Sequence, residues 1–345
     1  MNTTKFRDAE IGNTYDMTLL VTKIEQRSTK KGDPYVRLGL SDGSTEADCN
    51  LFNNNTAESL ANNGITMESA VNVRLKCTEY NSLKNYTVDS IAPARLSEDE
   101  LGQLVRMPPV SPKTLMVDVI LKVKQSSGRP YDLRSADIPD TDYSLTALTV
   151  RILWKYRSKF YTSSAAKSMH HNLYGGLVYH TSRMCSCASQ IADVYQILDK
   201  ELLVCGTALH DVGKIKELNT SGLGAATYSV DGRLFGHSVI GMEMIDEEVG
   251  RADTEAGHPT YDREKVRLLK HMIASHHGTL EWGALTVPAI PEAMVLHNID
   301  MIDSRMYMYE DGLASILPGD LSEPLFGIAE DGKATIYKAK NAQDS

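Results

Sequence analysis

Two spacings of apolar residues divide the chain. Through residues 1–95 apolar and polar positions alternate, the period of a strand with one buried face. Asp16 to Ile24 is a strand-like run. Val36, Leu38 and Leu40 share one face of the next strand, Ala47, Cys49 and Leu51 of a third, and Val71, Val73 and Leu75 of a fourth, while Tyr86 to Ile91 supplies a fifth. Turn signals separate these runs: Lys30-Lys31-Gly32-Asp33-Pro34, Ser41-Asp42-Gly43 and a hairpin around Asn81-Ser82. Asn53 to Gly64 has room for a short helix. Five strands with a helix after the third is the outline of an OB-fold barrel.

From Tyr143 onward the spacing changes to three and four, as in Leu145, Leu148, Ile152 and Tyr156. The same spacing predicts helices over about 173–189, 193–212, 237–249, 261–276 and 291–310. Between the two regions lie Pro108, Pro109, Pro112, Pro130 and Pro139, with one helix expected from Pro112 to Gln125. The expected fold class is α+β multidomain. An N-terminal OB-fold β-barrel (residues 1–95) is followed by a connector (96–140), an all-α domain (141–312) and a C-terminal tail (313–345).

Composition narrows the class. The chain has 345 residues, 42% of them hydrophobic, enough for two cores. No run approaches the roughly 20 apolar residues that span a bilayer. The polar N-terminus does not read as a secretory signal. Five cysteines without C-x-x-C spacing argue against a disulfide framework or a zinc ribbon and fit a reducing cytoplasm. The net charge of −9 argues against a protein that coats nucleic acid by charge alone. An acidic domain can still act on a phosphate if bound cations reverse the local field. All ten histidines lie between His170 and His297, which concentrates the commonest metal-ligand type in the helical half.

In Cys205 to Lys214 (CGTALHDVGK) an apolar helix ends on adjacent His210 and Asp211. Helical neighbours are about 100° apart, so both reach one ion from adjacent edges. The carboxylate can bridge two metals. Lys214, three residues on, suits a phosphate oxygen. The plainer alternative is a helix C-terminus with a histidine and a lysine near its negative end. The others have plain alternatives too. His180 sits mid-helix as a core histidine. His237 follows Gly236 and opens a helix. His276-His277 offset a helix dipole. Asp300 interrupts the apolar stripe IDMIDSR, where a buried carboxylate is costly unless paired or metal-bound.

Taken together, the order H…HD…H…HH…D on separate helices resembles the HD-domain phosphohydrolase superfamily. By that resemblance His180, His210, Asp211 and Asp300 match a four-ligand core, and His237, His276 and His277 match the extra histidines of binuclear members. Asp211 then bridges two ions. Asp211 and Lys214 become the catalytic candidates, and Lys214 and Arg305 the candidates for phosphate contact. Mixed histidine and carboxylate ligands suit Mn²⁺, Fe²⁺, Co²⁺, Ni²⁺ or Zn²⁺ better than Ca²⁺.

Longer strings narrow the resemblance: MHHNLYGGLVYHT (169–181), ALHDVGKIKEL (208–218), GRLFGHSVIG (232–241), HMIASHHG (271–278) and, in the barrel, YVRLGLSDGSTEADCNLF (35–52). They are similar to the bacterial YhaM-type 3′–5′ exoribonucleases, over nearly the whole chain. The resemblance implies an OB fold before an HD domain. It implies hydrolysis of single-stranded RNA, or DNA, from the 3′ end with two ions, Mn²⁺ or a similar metal. It also places His170 and His171 near the site, although the residues alone read only as helix entry before Gly175-Gly176. OB barrels hold single strands by cations and stacking aromatics. Lys31 and Tyr35 are the foremost candidates here, with Lys30, Arg37, Phe52, Arg74, Tyr80, Lys84 and Tyr86 also available. An HD phosphohydrolase acting on a small nucleotide or cyclic dinucleotide is the alternative, for which the barrel is surplus. A third reading is a nucleic-acid-binding module whose metal only stabilises it. Oligomeric state is open, a homo-oligomer included.

Overall fold

The computed structural model describes residues 4–52, 55–80, 83–165, 173–221, 223, 226–329 and 332–340. They form two compact units, residues 1–107 with 305–345, and residues 108–304.

In the first unit the alternating segments close into a barrel. Its strands are β1 (Thr14–Ser28), β2 (Pro34–Ser41), β3 (Glu46–Leu51), β4 (Ala70–Tyr80) and β5 (Leu83–Pro93), in the order β1-β2-β3-β5-β4. All pairings are antiparallel except β3 with β5. Helix α1 (Ala57–Asn62) lies between β3 and β4, capped by Thr56, whose hydroxyl accepts the Ser59 amide. Leu19, Val21, Val36, Leu38, Leu40, Val71 and Val73 fill the interior, the face that their alternation marked. The turn expected at Ser41-Asp42-Gly43 is built by Asp42, which accepts the Ser44 and Thr45 amides at 2.7 and 2.8 Å. Asn81 and Ser82 lie outside the described residues. The short helix α2 (Glu98–Gly102) follows the barrel.

The second unit is helical. Its helices are α3 (Pro112–Ser126), α4 (Leu145–Lys155), α5 (Arg157–Phe160), α6 (Gly176–Val194), α7 (Lys200–Leu209), α8 (Lys214–Glu217), α9 (Val230–Ala256) and α10 (Arg263–Ser275). Helix α11 (Pro291–Ser315) begins in this unit, and the division between units falls within it, after Ser304. One apolar core joins α3, α4, α6, α7, α9, α10 and the start of α11.

Three features depart from the expected pattern, the first being that the helix expected over about 193–212 begins only at Lys200, capped by Asp199, because the preceding helix runs on to Val194. A ribbon of β6 (Leu218–Thr220) and β7 (Ala226–Tyr228) interrupts the helices, three residues per strand being too short to show a period. Helix α9 starts at Val230 rather than at His237 and breaks at Gly236 (φ 71°, ψ 162°), a conformation open mainly to glycine. The tail adds the hairpin β8 (Leu325–Ala329) and β9 (Gly332–Ala334) in the first unit.

The proline-punctuated segment after α3 is tied down by one cation. Lys124 is fully buried, and its ammonium donates to the carbonyls of Asp132, Ser135 and Asp137 at 3.0, 2.7 and 2.9 Å. Three donors meet three acceptors, so an irregular loop is satisfied without strand pairing. Replacing Lys124 by Met should destabilise the unit by about 3 kcal/mol, because those carbonyls lose their donor. Urea titration checks this against Lys122→Met, which removes only the partly exposed pair with Asp118 and should cost under about 1 kcal/mol.

Candidate metal centre

Two helices end at candidate ligands in the same way. Helix α7 stops at His210, whose ring Nδ1 donates to the Thr207 carbonyl at 2.8 Å. Helix α10 stops at His276, whose Nδ1 donates to the Ile273 carbonyl at 2.7 Å. Each histidine takes one of the carbonyls that a helix leaves unpaired in its last turn. A carbonyl only accepts, so Nδ1 carries the proton and Nε2 turns its lone pair inward. Glycine makes the approach of these helices possible. A Cβ on Gly206 of α7 would lie 2.4 Å from Met272 of α10, and the His210 and His276 rings stand 5.2 Å apart.

His237 is placed by the break in α9. Gly236 lets the His237 amide start a fresh helical segment, and Glu217 accepts that amide at 3.1 Å. The same Glu217 oxygen accepts from the His237 ring Nδ1 at 3.2 Å. Gly213 brings the turn after Asp211 against this segment, for its Cβ would fall 2.0 Å from the His237 carbonyl oxygen. His180, on α6, donates through Nδ1 to Asp303 at 2.7 Å, and the Arg183 guanidinium holds the other Asp303 oxygen at 2.6 Å. Asp300, one turn before Asp303 on α11, lies 3.3 Å from His180 Nε2.

Asp211 stands at the centre. Its Oδ2 lies 3.3 Å from His210 Nε2 and 3.8 Å from His180 Nε2. Its Oδ1 lies 3.4 Å from His237 Nε2 and 3.7 Å from His276 Nε2. The donors fall into two trios, His180, His210 and Asp211, and His237, His276 and His277, with one donor atom from each residue within 4.8 Å of the others. Lys214 reaches Asp211 Oδ2 at 2.7 Å.

The electrostatics suit cations. Burial opposes ionisation of Asp211, yet Lys214 and His210 hold its carboxyl well below the usual range. Burial, with His277 and His210 beside it, pushes His276 well below the usual histidine range and keeps it neutral. Burial, followed by the neighbouring His237, lowers His277 as well. Burial opposes charge on His180, but hydrogen bonds to Asp300 and Asp303 raise its pKa to about 10, a proton with which a cation competes.

The donor set fits a divalent ion on the structure's own terms. His210 Nε2, Asp211 Oδ1 and His277 Nδ1 are buried without a hydrogen-bond partner, a costly state that ligation would relieve. His237 and His276 point Nε2 atoms at each other over 3.3 Å while both Nδ1 positions are donors elsewhere, so two imidazole nitrogens converge beside Asp211 Oδ1.

A model of the HD domain matches residues 177–305. The 3′–5′ exoribonuclease YhaM of Listeria monocytogenes (strain EGD-e) is 31% identical over 322 residues, 93% of this chain and 95% of the relative. The chain belongs to the YhaM family. Within that family the 3′–5′ exoribonuclease YhaM of Bacillus velezensis is 30% identical over 92% of this chain and 94% of its own. The YhaM of Bacillus subtilis (strain 168) is 29% identical over 95% and 98%. The HD domain shared with the family implies divalent-metal binding.

The remaining candidates are not in this cluster. Arg305 follows Asp300 by five positions, roughly 140° around the helix, and is half-buried. His170 and His171 lie outside the described residues. Tyr35 and Lys31 belong to the barrel unit, where the Tyr35 ring packs 5.2 Å from the partly exposed Phe52 and Lys31 sits on the exposed β1–β2 turn. Tyr86 is core, its hydroxyl donating to the Phe6 carbonyl. His297 donates to the His276 carbonyl at 2.9 Å, and His271 accepts the Ala289 amide. Glu217 was missed in the sequence. Its only signal is a carboxylate at the end of a short helix, which reads as a solvated residue until His237 is placed beside it. Replacing Glu217 by Ala should lower divalent-ion affinity about 10–100-fold, as calorimetric titration would resolve.

Proposed function

We propose that this chain is a metal-dependent 3′–5′ exoribonuclease that hydrolyses single-stranded RNA from its 3′ end at the Asp211 cluster. The observation that carries this reading is the Asp211 carboxylate, which turns one oxygen toward each trio of donors. It occurs in a chain aligned over 95% of a relative that is named 3′–5′ exoribonuclease. Seven residues form the ligand set: His180, His210, Asp211, His237, His276, His277 and Asp300. They would hold two ions, with Mn²⁺ the leading candidate among Mn²⁺, Fe²⁺, Co²⁺, Ni²⁺ and Zn²⁺. When bound, such ions neutralise phosphate oxygens and acidify water near pH 7.

The chain's own residues supply the rest. Asp303 and Glu217 orient His180 and His237 by accepting their Nδ1 protons. Lys214 is largely shielded from water, but its pairing with Asp211 outweighs that desolvation and keeps its ammonium charged. Beside the shared carboxylate it offers a positive charge to a non-bridging phosphate oxygen. Arg305 is a second candidate for phosphate contact. We assign the barrel, residues 1–95, to holding the strand, with Tyr35 and Phe52 stacking a base and Lys31 near the backbone. Among the described residues no helix is long and apolar enough to cross a membrane. Cytoplasmic RNA is the proposed substrate, with single-stranded DNA as a further one.

With 5′-labelled RNA and Mn²⁺, a ladder shortened from the 3′ end is expected. His210→Ala with Asp211→Ala should give none, and Lys214→Met should lower kcat about 100-fold. Turnover of a cyclic dinucleotide or mononucleotide alone, with RNA untouched, would replace this reading by a small-nucleotide phosphohydrolase. Tyr35→Ala with Phe52→Ala should raise KM for long strands roughly 5–100-fold while leaving trinucleotides unaffected.

A further inference from the structure

Large apolar side chains stand exposed on the two segments that enter and leave the His237–His276–His277 trio. Leu234 and Phe235 precede His237, with only Gly236 between, and are 69% and 53% exposed. Leu280 and Trp282 follow His277, on a short turn after Gly278, and are 62% and 47% exposed. That turn is anchored to the centre. Gly283 sits against His277, its Cβ position 3.5 Å from His277 Nδ1. The Trp282 ring lies 6.0 Å from the His297 ring, which itself donates to the His276 carbonyl. One segment therefore runs directly into His237, and the other lies against His277 and His297.

Leaving such side chains in water forgoes burial that the helical core supplies elsewhere, so four of them on the two segments that adjoin the candidate centre call for an occupant. Two of the four are aromatic, and a flat ring suits a nucleobase. Stacking on such a ring is indifferent to base identity, because every base has a π-face, but it needs a base whose face is not already covered. In a duplex both faces are occupied by neighbouring pairs.

We propose that Phe235 and Trp282, flanked by Leu234 and Leu280, form a rim that stacks the unpaired base next to the scissile phosphodiester, and that this rim makes the enzyme selective for single-stranded 3′ ends. The inference rests on the exoribonuclease reading above and adds the part of the substrate that the metal ligands do not read. The ligand cluster recognises phosphate, which duplex and single strand share. The rim recognises a free base face, which only the single strand offers. A small diester without bases would engage the cluster and not the rim.

Two measurements test it. Trp282→Ala and Phe235→Ala should each raise KM for a single-stranded tetraribonucleotide roughly 5–100-fold, with kcat held within about threefold. Trp282→Phe, which keeps a flat ring, should restore most of the loss, and bound-metal content should equal that of the unsubstituted protein. In a Trp154→Phe background Trp282 is the sole tryptophan. Its fluorescence should be quenched saturably by single-stranded oligoadenylate and not by a blunt duplex. Unchanged KM with no quenching overturns the proposal. So does a loss of self-association in light scattering with RNA affinity intact, which would make the rim a contact between copies of the chain. If the unsubstituted protein leaves RNA intact, the exoribonuclease reading fails, and quenching by oligoadenylate still decides whether the rim binds bases.

Discussion

One buried carboxylate organises the helical unit. Asp211 is 3% exposed and ionised, a state that is expensive inside a protein unless opposite charge or strong donors surround it. Lys214 supplies one positive charge, but imidazoles face both of its oxygens. A second carboxylate, Asp300, stands beside His180, and His276 is held neutral, so divalent cations that displace the His180 proton would complete the arrangement. Helices α6, α7, α9, α10 and α11 each contribute a side chain around this point. Their packing can then be read as a scaffold that keeps five chain segments within reach of one anion.

The second layer is mostly backbone. His210 and His276 are oriented by carbonyls that their own helices could not otherwise use. This couples the end of each helix to the tautomer of its ligand at no cost in extra side chains. Of the other three histidines, two use carboxylates, Asp303 for His180 and Glu217 for His237, while His277 Nδ1 is buried without a hydrogen-bond partner. Carboxylate partners make an imidazole a stronger donor than carbonyl partners do, so each trio combines a strengthened candidate ligand with an ordinary one.

Much of the molecule was legible before any coordinates. Period-two alternation gave the barrel strands, because a closed sheet buries one face of every strand. Spacings of three and four gave the helices, and the pattern of histidines and aspartates gave the cluster. What stayed hidden has a common cause. Thr207 and Ile273 act through carbonyls, which every residue has, so their identity carries no signal. Glu217 acts on a residue twenty positions away across a ribbon too short to show a period. Lys124 reads as a solvated cation on a helix face until the loop carbonyls that enclose it are placed. The early start of α9 is obscured because a glycine before a histidine reads as a helix boundary, whereas Gly236 is a break within a longer helix.

The histidines at the ends of α7 and α10 also bear on how such a chain can change over time. Each ring is bound to a carbonyl three residues earlier, so inserting one residue within the last turn would swing the ligand by about 100° and separate it from its acceptor. Tolerated insertions and deletions are thereby steered away from these helices and into the links around them, such as residues 195–199 and 257–262. Helix length near the ligands becomes a fixed quantity, and the loops absorb the drift.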